Sequence, residues 1–302
     1  ADYHRVKGEC HFLRAQFCLI LANLYGKPYN PATASTDLGV PLKITSGVEH
    51  DNDKETQFDR TPLDQIYAQI VSDLQNAVEQ LTISSKGELY RASKEAAVLL
   101  LSRVYLYMQE WEEAKDLLEP NMDDYLLTSL VTMDSIGSGN PFITEDNAEV
   151  IFSQGSLFSQ IIMTGYAPDF CVSEDLYSLY DTENDYRTLF FAKNEYTDSI
   201  ALVGKYYTGS HRSRVSDVLM LRNAEAYLNM AEACAMMGGQ EGLANQYLNA
   251  LRRTRIQNYT DQTYAGEQLV NEIRNERRKE LCFEGHRWFD LRRYTVSDPY
   301  PY

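Results

Sequence analysis

Tryptophan, proline and cysteine are all scarce in this 302-residue sequence, with two, nine and five of each against 22 tyrosines. The cysteines (Cys10, Cys18, Cys171, Cys234 and Cys282) are odd in number, widely spaced and form no CxxC pair. That spacing excludes a zinc ribbon and argues against a disulfide framework in a chain this long. Small thiols buried on helix faces are the expectation. No run of eighteen apolar residues occurs, so no segment reads as a membrane-spanning helix. The stretch HFLRAQFCLILANLY is interrupted by Arg14 and Gln16 and lacks the charged start and cleavage site of a signal peptide. Positive charge is also short: 28 Lys and Arg face 44 Asp and Glu, a net charge of −16 at pH 7. Such a balance repels phosphate-rich partners, whether nucleic acid or an anionic membrane. G-x-S-x-G, H-E-x-x-H and P-loop motifs are missing too.

What is present reads as a globular, mostly α chain, with 44% hydrophobic and 24% charged residues. Val6, Cys10, Leu13, Phe17, Ile20 and Leu24 recur at three- and four-residue spacing as the apolar stripe of a first helix, which ends at Gly26 with Pro28 beyond. After a polar loop, Thr61 reads as the cap of a second helix with Pro62 in its first turn and a stripe of Ile66, Ile70, Leu74, Val78 and Leu81. A third helix starts near Ser93. A fourth follows the break at Gln109-Glu110 and stops before Pro120. From about 121 to 216 the pattern turns irregular and tyrosine-rich, with NAEVIFSQGS reading as a strand. Helices return from 217 to 294. SRVYLYMQEWEEAKDLL aligns with AEACAMMGGQEGLANQYL, each with small residues, a tight break, then Ala at a packing position. The spacing fits tetratricopeptide-like helical pairs, which bury their apolar faces only by stacking on neighbours. The expectation is a single domain over 1–302: helical pairs over 1–120, an irregular insert with a little β over 121–216, and helical pairs again over 217–294.

Several segments, in order, resemble the SusD/RagB family of surface glycan-binding lipoproteins of certain Gram-negative bacteria. They are GECHFLRAQFCLILANLYGKPY, LGVPLKIT, DRTPLDQIYAQIVSDLQNAVEQL, NAEVIFS, LRNAEAYLNMAEACAMMG with LNALRRTR, and IRNERRKELCFEGHRWFDLRR. The last is similar, at nearly every position, to the family's C-terminal signature I-x-x-E-R-x-x-E-L-x-F-E-G-x-R-W-x-D-L-x-R. The resemblance implies a non-catalytic binder of oligosaccharide, lipid-anchored on the extracellular face of the outer membrane, working with a SusC-like TonB-dependent transporter. It also implies a signal and a lipid-bearing cysteine upstream of the sequence given, and no cofactor.

The signature raises its own question, because eleven charged residues crowd the apolar side chains between Arg274 and Arg293. Glu276, Glu280 and Glu284 repeat every four residues, so they share a helix face, while Arg277, Arg287, Arg293 and Asp290 lie within reach once the helix stops at Gly285. The expected reading is a partly buried ion-pair and aromatic clamp, with Trp288 docked on the preceding helix pair; a solvated charged face is the alternative. Sugar rings stack on flat aromatics while Asn, Arg and Asp satisfy hydroxyls. By composition and position the ligand candidates are Tyr25, Tyr29 and Asn30, then Tyr166, Tyr177, Tyr180, Tyr206 and Tyr207. The acidic run Asp51–Thr56 resembles a calcium loop but lacks the Gly and the distant Glu. His4, His11, His50, His211 and His286 are scattered. A peptide binder, a glycosidase on a helical scaffold and a protein-binding adaptor are the other classes the pattern admits.

Overall fold

The computed structural model describes residues 2–45, 58–82, 88–133, 141–155, 170–194, 198–208 and 211–302. The helices are α1 (Asp2–Tyr25), α2 (Leu63–Gln80), α3 (Lys94–Met108), α4 (Trp111–Leu118), the short α5 (Glu174–Tyr177), α6 (Asn223–Met236), α7 (Glu241–Arg253), α8 (Gly266–Glu280) and α9 (Arg287–Tyr294). Ser93 caps α3 as expected, its hydroxyl accepting from the Ala96 N–H at 3.1 Å. Thr61 does not cap α2. Pro62 occupies the cap position, and the Thr61 hydroxyl accepts from the Leu42 N–H at 3.1 Å instead.

Consecutive helices pack on one another: α1 on α2, α2 on α3, α3 on α4, α4 on α6, and α6 on both α7 and α8. The turn Gln109-Glu110 is short enough to force α3 and α4 antiparallel, with Gln109 in the left-handed region at φ 64°. Small residues bring the helices close. Ala96, Ala97, Ala114, Ala226, Ala231, Ala233 and Ala244 are all buried in one continuous core. Between α3 and α6 the close approach lets Asn229 donate to the Ser102 hydroxyl at 2.9 Å.

One stripe is reversed relative to the sequence reading. The buried face of α1 is Phe12, Ala15, Leu19 and Ala22, whereas Val6, Phe17 and Leu24 are exposed and Leu13 and Ile20 only half-buried. Both faces of this helix carry apolar residues at helical spacing, and the smaller one, beginning at Gly8, packs against α2. A Cβ at Gly8 would sit 2.8 Å from Leu81 Cγ. Two cysteines follow suit: Cys10 lies on the exposed face and Cys171 is exposed outside any helix, while Cys234 and Cys282 are buried as expected.

Three two-stranded antiparallel ladders lie among the described residues: β1 (Val150–Gln154) with β6 (Leu219–Arg222), β2 (Phe191–Lys193) with β3 (Ile200–Leu202), and β4 (Tyr207–Thr208) with β5 (His211–Arg212). The strand β6 stands where helix was expected from 217, because it pairs with β1 before α6 begins at Asn223; the other five strands belong to the insert. It has its own apolar centre, in which Phe142, Phe190, Tyr180, Tyr206 and Cys282 are buried together. The β1–β6 ladder joins that centre to the helices, with Phe152 edge-on to Phe12 of α1 at 4.9 Å.

Candidate functional site

The signature segment forms a buried ion network. Glu276 and Glu280 occupy the last turns of α8, and Glu284 sits in the turn beyond, where Phe283 (φ 60°) and Gly285 (φ 78°) reverse the chain. A Cβ at Gly285 would lie 3.1 Å from the Val218 carbonyl, so both φ and space favour glycine there. Glu280 receives Arg222 at 2.7 Å and Arg255 and Arg187 at 2.9 Å. Glu284 receives Arg222 at 2.9 Å and Lys205 at 2.6 Å, and Glu276 receives Arg187 and Arg252 at 2.7 Å. Glu149, at the start of β1, shares Arg222 and Arg255. Burial opposes charging Glu280, but Arg255, Arg222 and Arg187 outweigh it and hold its carboxyl well below the usual range.

The clamp exists, but its partners differ from those expected. Most of the cations facing the glutamates come from outside the motif, from Arg187, Arg222, Arg252, Arg255 and Lys205; within it, Lys279 adds a pair to Glu276 at 3.1 Å. Arg277 turns to Asp290 at 3.0 Å, and Arg293 to Glu232 at 2.6 Å and Asp290 at 2.9 Å. Arg287 makes no ion pair among the described residues and is half-buried. Trp288 is 64% exposed rather than docked, because it lies on the outer face of α9, opposite buried Asp290 and Tyr294. With each carboxylate paired and nearly every member almost wholly buried, this network holds geometry and leaves no carboxylate open to a ligand.

The tyrosine candidates separate by burial. Tyr180 and Tyr206 belong to the insert core, their hydroxyls donating to the carbonyls of Lys279 at 2.9 Å and Phe283 at 3.1 Å. Neither has a ring face open for stacking, so both are corrected from ligand to core residues. Tyr177 is half-buried edge-on to Phe191, and Tyr207 is half-buried in β4. Tyr29 tilts against Tyr67 at 4.7 Å, and the Asn30 side-chain oxygen is taken by the Ala32 N–H. Tyr25, the last residue of α1, is 68% exposed beside a pinned loop: Arg60 donates to the carbonyls of Tyr25, Leu38 and Gly39, and Arg292 to that of Gly26. Tyr166 and Asp51–Thr56 lie outside the described residues. Among the described residues, no three His, Cys, Asp or Glu are arranged to hold a metal.

A larger concavity, missed in the sequence, opens at the other end of α1. It measures about 870 Å³, and its lining includes Tyr90, Arg91, Leu126, Glu145, Asp146 and Asn147. Tyr90 is 59% exposed and Leu126 64% exposed, apolar surface beside a rim of carboxylates from Glu88, Asp123, Asp124, Glu145 and Asp146. Two acceptors in its wall, Glu95 Oε2 and Asn223 Oδ1, have no hydrogen-bond partner among the described residues. One side of it is pinned to α1 by Arg5 to Glu88 and by Arg91 to Glu9 at 2.8 Å. Tyr25 is roughly 24 Å along the helix from Glu9 at about 1.5 Å per residue, so the two aromatic surfaces are separate. The one sequence cue was a tyrosine in a loop ahead of the Ser93 cap.

Residues 177–300 match a family model described as the SusD family, and residues 1–106 match one described as starch-binding associating with outer membrane. No curated protein matches the chain. A SusD superfamily protein from Bacteroides thetaiotaomicron VPI-5482 superposes with a TM-score of 0.78 at 25% identity, over 96% of this chain and 67% of its own. A SusD-like carbohydrate binding protein from Bacteroides vulgatus ATCC 8482 gives 0.76 at 23% identity, over 97% and 63%. A SusD superfamily protein from Bacteroides fragilis gives 0.74 at 28% identity, over 97% and 68%. The chain thus spans about two thirds of the length of these structures.

Proposed function

Because this chain belongs to the SusD/RagB family, we propose that it binds a neutral oligosaccharide without cleaving it, in the groove flanked by Tyr90. The observation that carries the reading is that groove: an exposed aromatic ring set among fixed hydrogen-bond acceptors. A pyranose stacks its apolar face on such a ring while its hydroxyls donate to carboxylates and amide oxygens, and an acidic rim suits hydroxyl donors but not polyanions. Tyr25 at the end of α1, with Tyr29 and Asn30 of the pinned loop that follows, supplies a second platform for a longer chain; Tyr177 and Tyr207 are secondary candidates. In the cell, the reading is a lipid-anchored protein on the extracellular face of the outer membrane that hands its ligand to a SusC-like TonB-dependent transporter. The whole of 1–302 acts in it as a single unit. The same acidic rim favours one alternative ligand, a peptide rich in Lys or Arg.

The test is a panel of neutral oligosaccharides and basic peptides, read by calorimetry for binding and by chromatography for products. Saturable glycan binding with unchanged ligand is expected. Release of shorter sugars would make the protein an enzyme, and preference for the peptides would move it to the alternative.

A further inference from the structure

Between α1, α3 and the turn that opens α9 lies a cavity of about 240 Å³, remote from the Tyr90 groove. Its walls are largely apolar, including Leu19, Leu100, Met220 and Phe289. Three polar side chains line it with hydrogen-bonding capacity left over. Gln16, only 5% exposed, has a carboxamide oxygen with no partner among the described residues. The Tyr107 hydroxyl likewise makes no hydrogen bond among them, and burial pushes its pKa up to about 12. His286 meets only Arg277, at 3.5 Å through Nδ1, and burial, then Arg103 and Arg277, keep it neutral.

The charges in the wall are already compensated. Arg103 grips Glu225 through two 2.6 Å bonds, and Glu284 is held by Arg222 and Lys205. A buried polar group left unpaired costs on the order of 1–3 kcal/mol, so the Gln16 oxygen favours an occupant that donates to it, with Tyr107 and His286 beside it for further hydrogen bonds. What fits is neutral, smaller than a drug-sized ligand, apolar on one face and able both to donate and to accept.

We propose that this cavity is a second binding site, for a single neutral sugar ring, with Phe289 and the leucines against its apolar face and Gln16, Tyr107 and His286 on its hydroxyls. Its opening is marked by Leu24, Val218 and Gly285, the exposed members of the lining. Nothing in it draws on the Tyr90 groove, which makes the two sites separable by mutation.

The probe is D-glucose, titrated calorimetrically into the whole chain and into Gln16→Leu, Tyr107→Phe and Tyr90→Ala. Gln16→Leu removes an unpaired buried amide and keeps the bulk, so it should fold at least as well as the parent. Tyr107→Phe is the second, milder variant. Millimolar binding to the parent is expected, weakened at least tenfold by Gln16→Leu and by Tyr107→Phe and unchanged by Tyr90→Ala. No binding of glucose to the parent, or binding that survives both Gln16→Leu and Tyr107→Phe, overturns the proposal. Loss of glucose binding in Tyr90→Ala alone assigns the monosaccharide to the groove and overturns it as well. Oligosaccharide binding that persists in Gln16→Leu separates this result from the reading of the groove.

Discussion

Glu280 shows why a repeat of glutamates does not identify its own partners. Three guanidinium groups, from Arg187, Arg222 and Arg255, converge on its two oxygens from segments 93, 58 and 25 residues away. The spacing Glu276, Glu280, Glu284 showed that carboxylates share a face; which cations meet them depends on how the insert and the late helices close around α8. Removing one member strands the others in a low-dielectric site, at a cost of about 3–5 kcal/mol. Glu280→Gln is therefore expected to lower unfolding free energy by that much in denaturant titration. Arg287→Ala, which breaks no ion pair among the described residues, and Trp288→Ala, at an exposed position, should stay within about 0.5 kcal/mol. A large loss in Trp288→Ala would mean the indole is covered after all. His286 adds a pH signature. Folded, it stays neutral well below the usual histidine range, while unfolded it takes a proton near pH ~6.5. The unfolded state thus gains protons first, and stability falls as pH drops below about 6.5, by up to about 1.4 kcal/mol per pH unit. Unfolding measured at several pH values should show that slope, reduced in His286→Gln.

The helices themselves were largely legible. The periods, the Ser93 cap and the break at Gln109 all place elements where the structure has them, and NAEVIFSQGS contains β1. Orientation was not, and α1 is the instructive case. Its larger apolar residues, Phe17 and Leu24 among them, face outward, while Phe12, Ala15, Leu19 and Ala22 face α2 and the core. Periodicity identifies a stripe; with two stripes on one helix, only the shape of the neighbour decides which is buried, and small residues permit the closer approach. Leu19→Ala should cost about 2–5 kcal/mol as a core truncation, whereas Phe17→Gln should change stability by no more than about 0.5 kcal/mol. Thermal unfolding of the pair checks the facing directly, and equal losses would restore the stripe read from sequence.

At the scale of the whole molecule, fold and family followed from long, specific segments, while the groove did not. It is assembled from 88–91, 123–126, 145–150 and Asn223, stretches that only the stacked helices and the β1–β6 ladder bring together. Counting tyrosines pointed to the insert, yet burial there turns Tyr180 and Tyr206 into packing residues, while the exposed Tyr25 and Tyr90 lie outside it. The central claim is that a neutral glycan stacks on Tyr90 between its acidic neighbours. Its most direct measurement is calorimetric titration of one binding oligosaccharide into the parent chain, Tyr90→Ala and Tyr25→Ala, with melting temperatures alongside. Tyr90→Ala is expected to weaken binding at least tenfold at an unchanged melting temperature, while Tyr25→Ala has a smaller effect. Full affinity in Tyr90→Ala, or its loss in Tyr25→Ala alone, would contradict that claim.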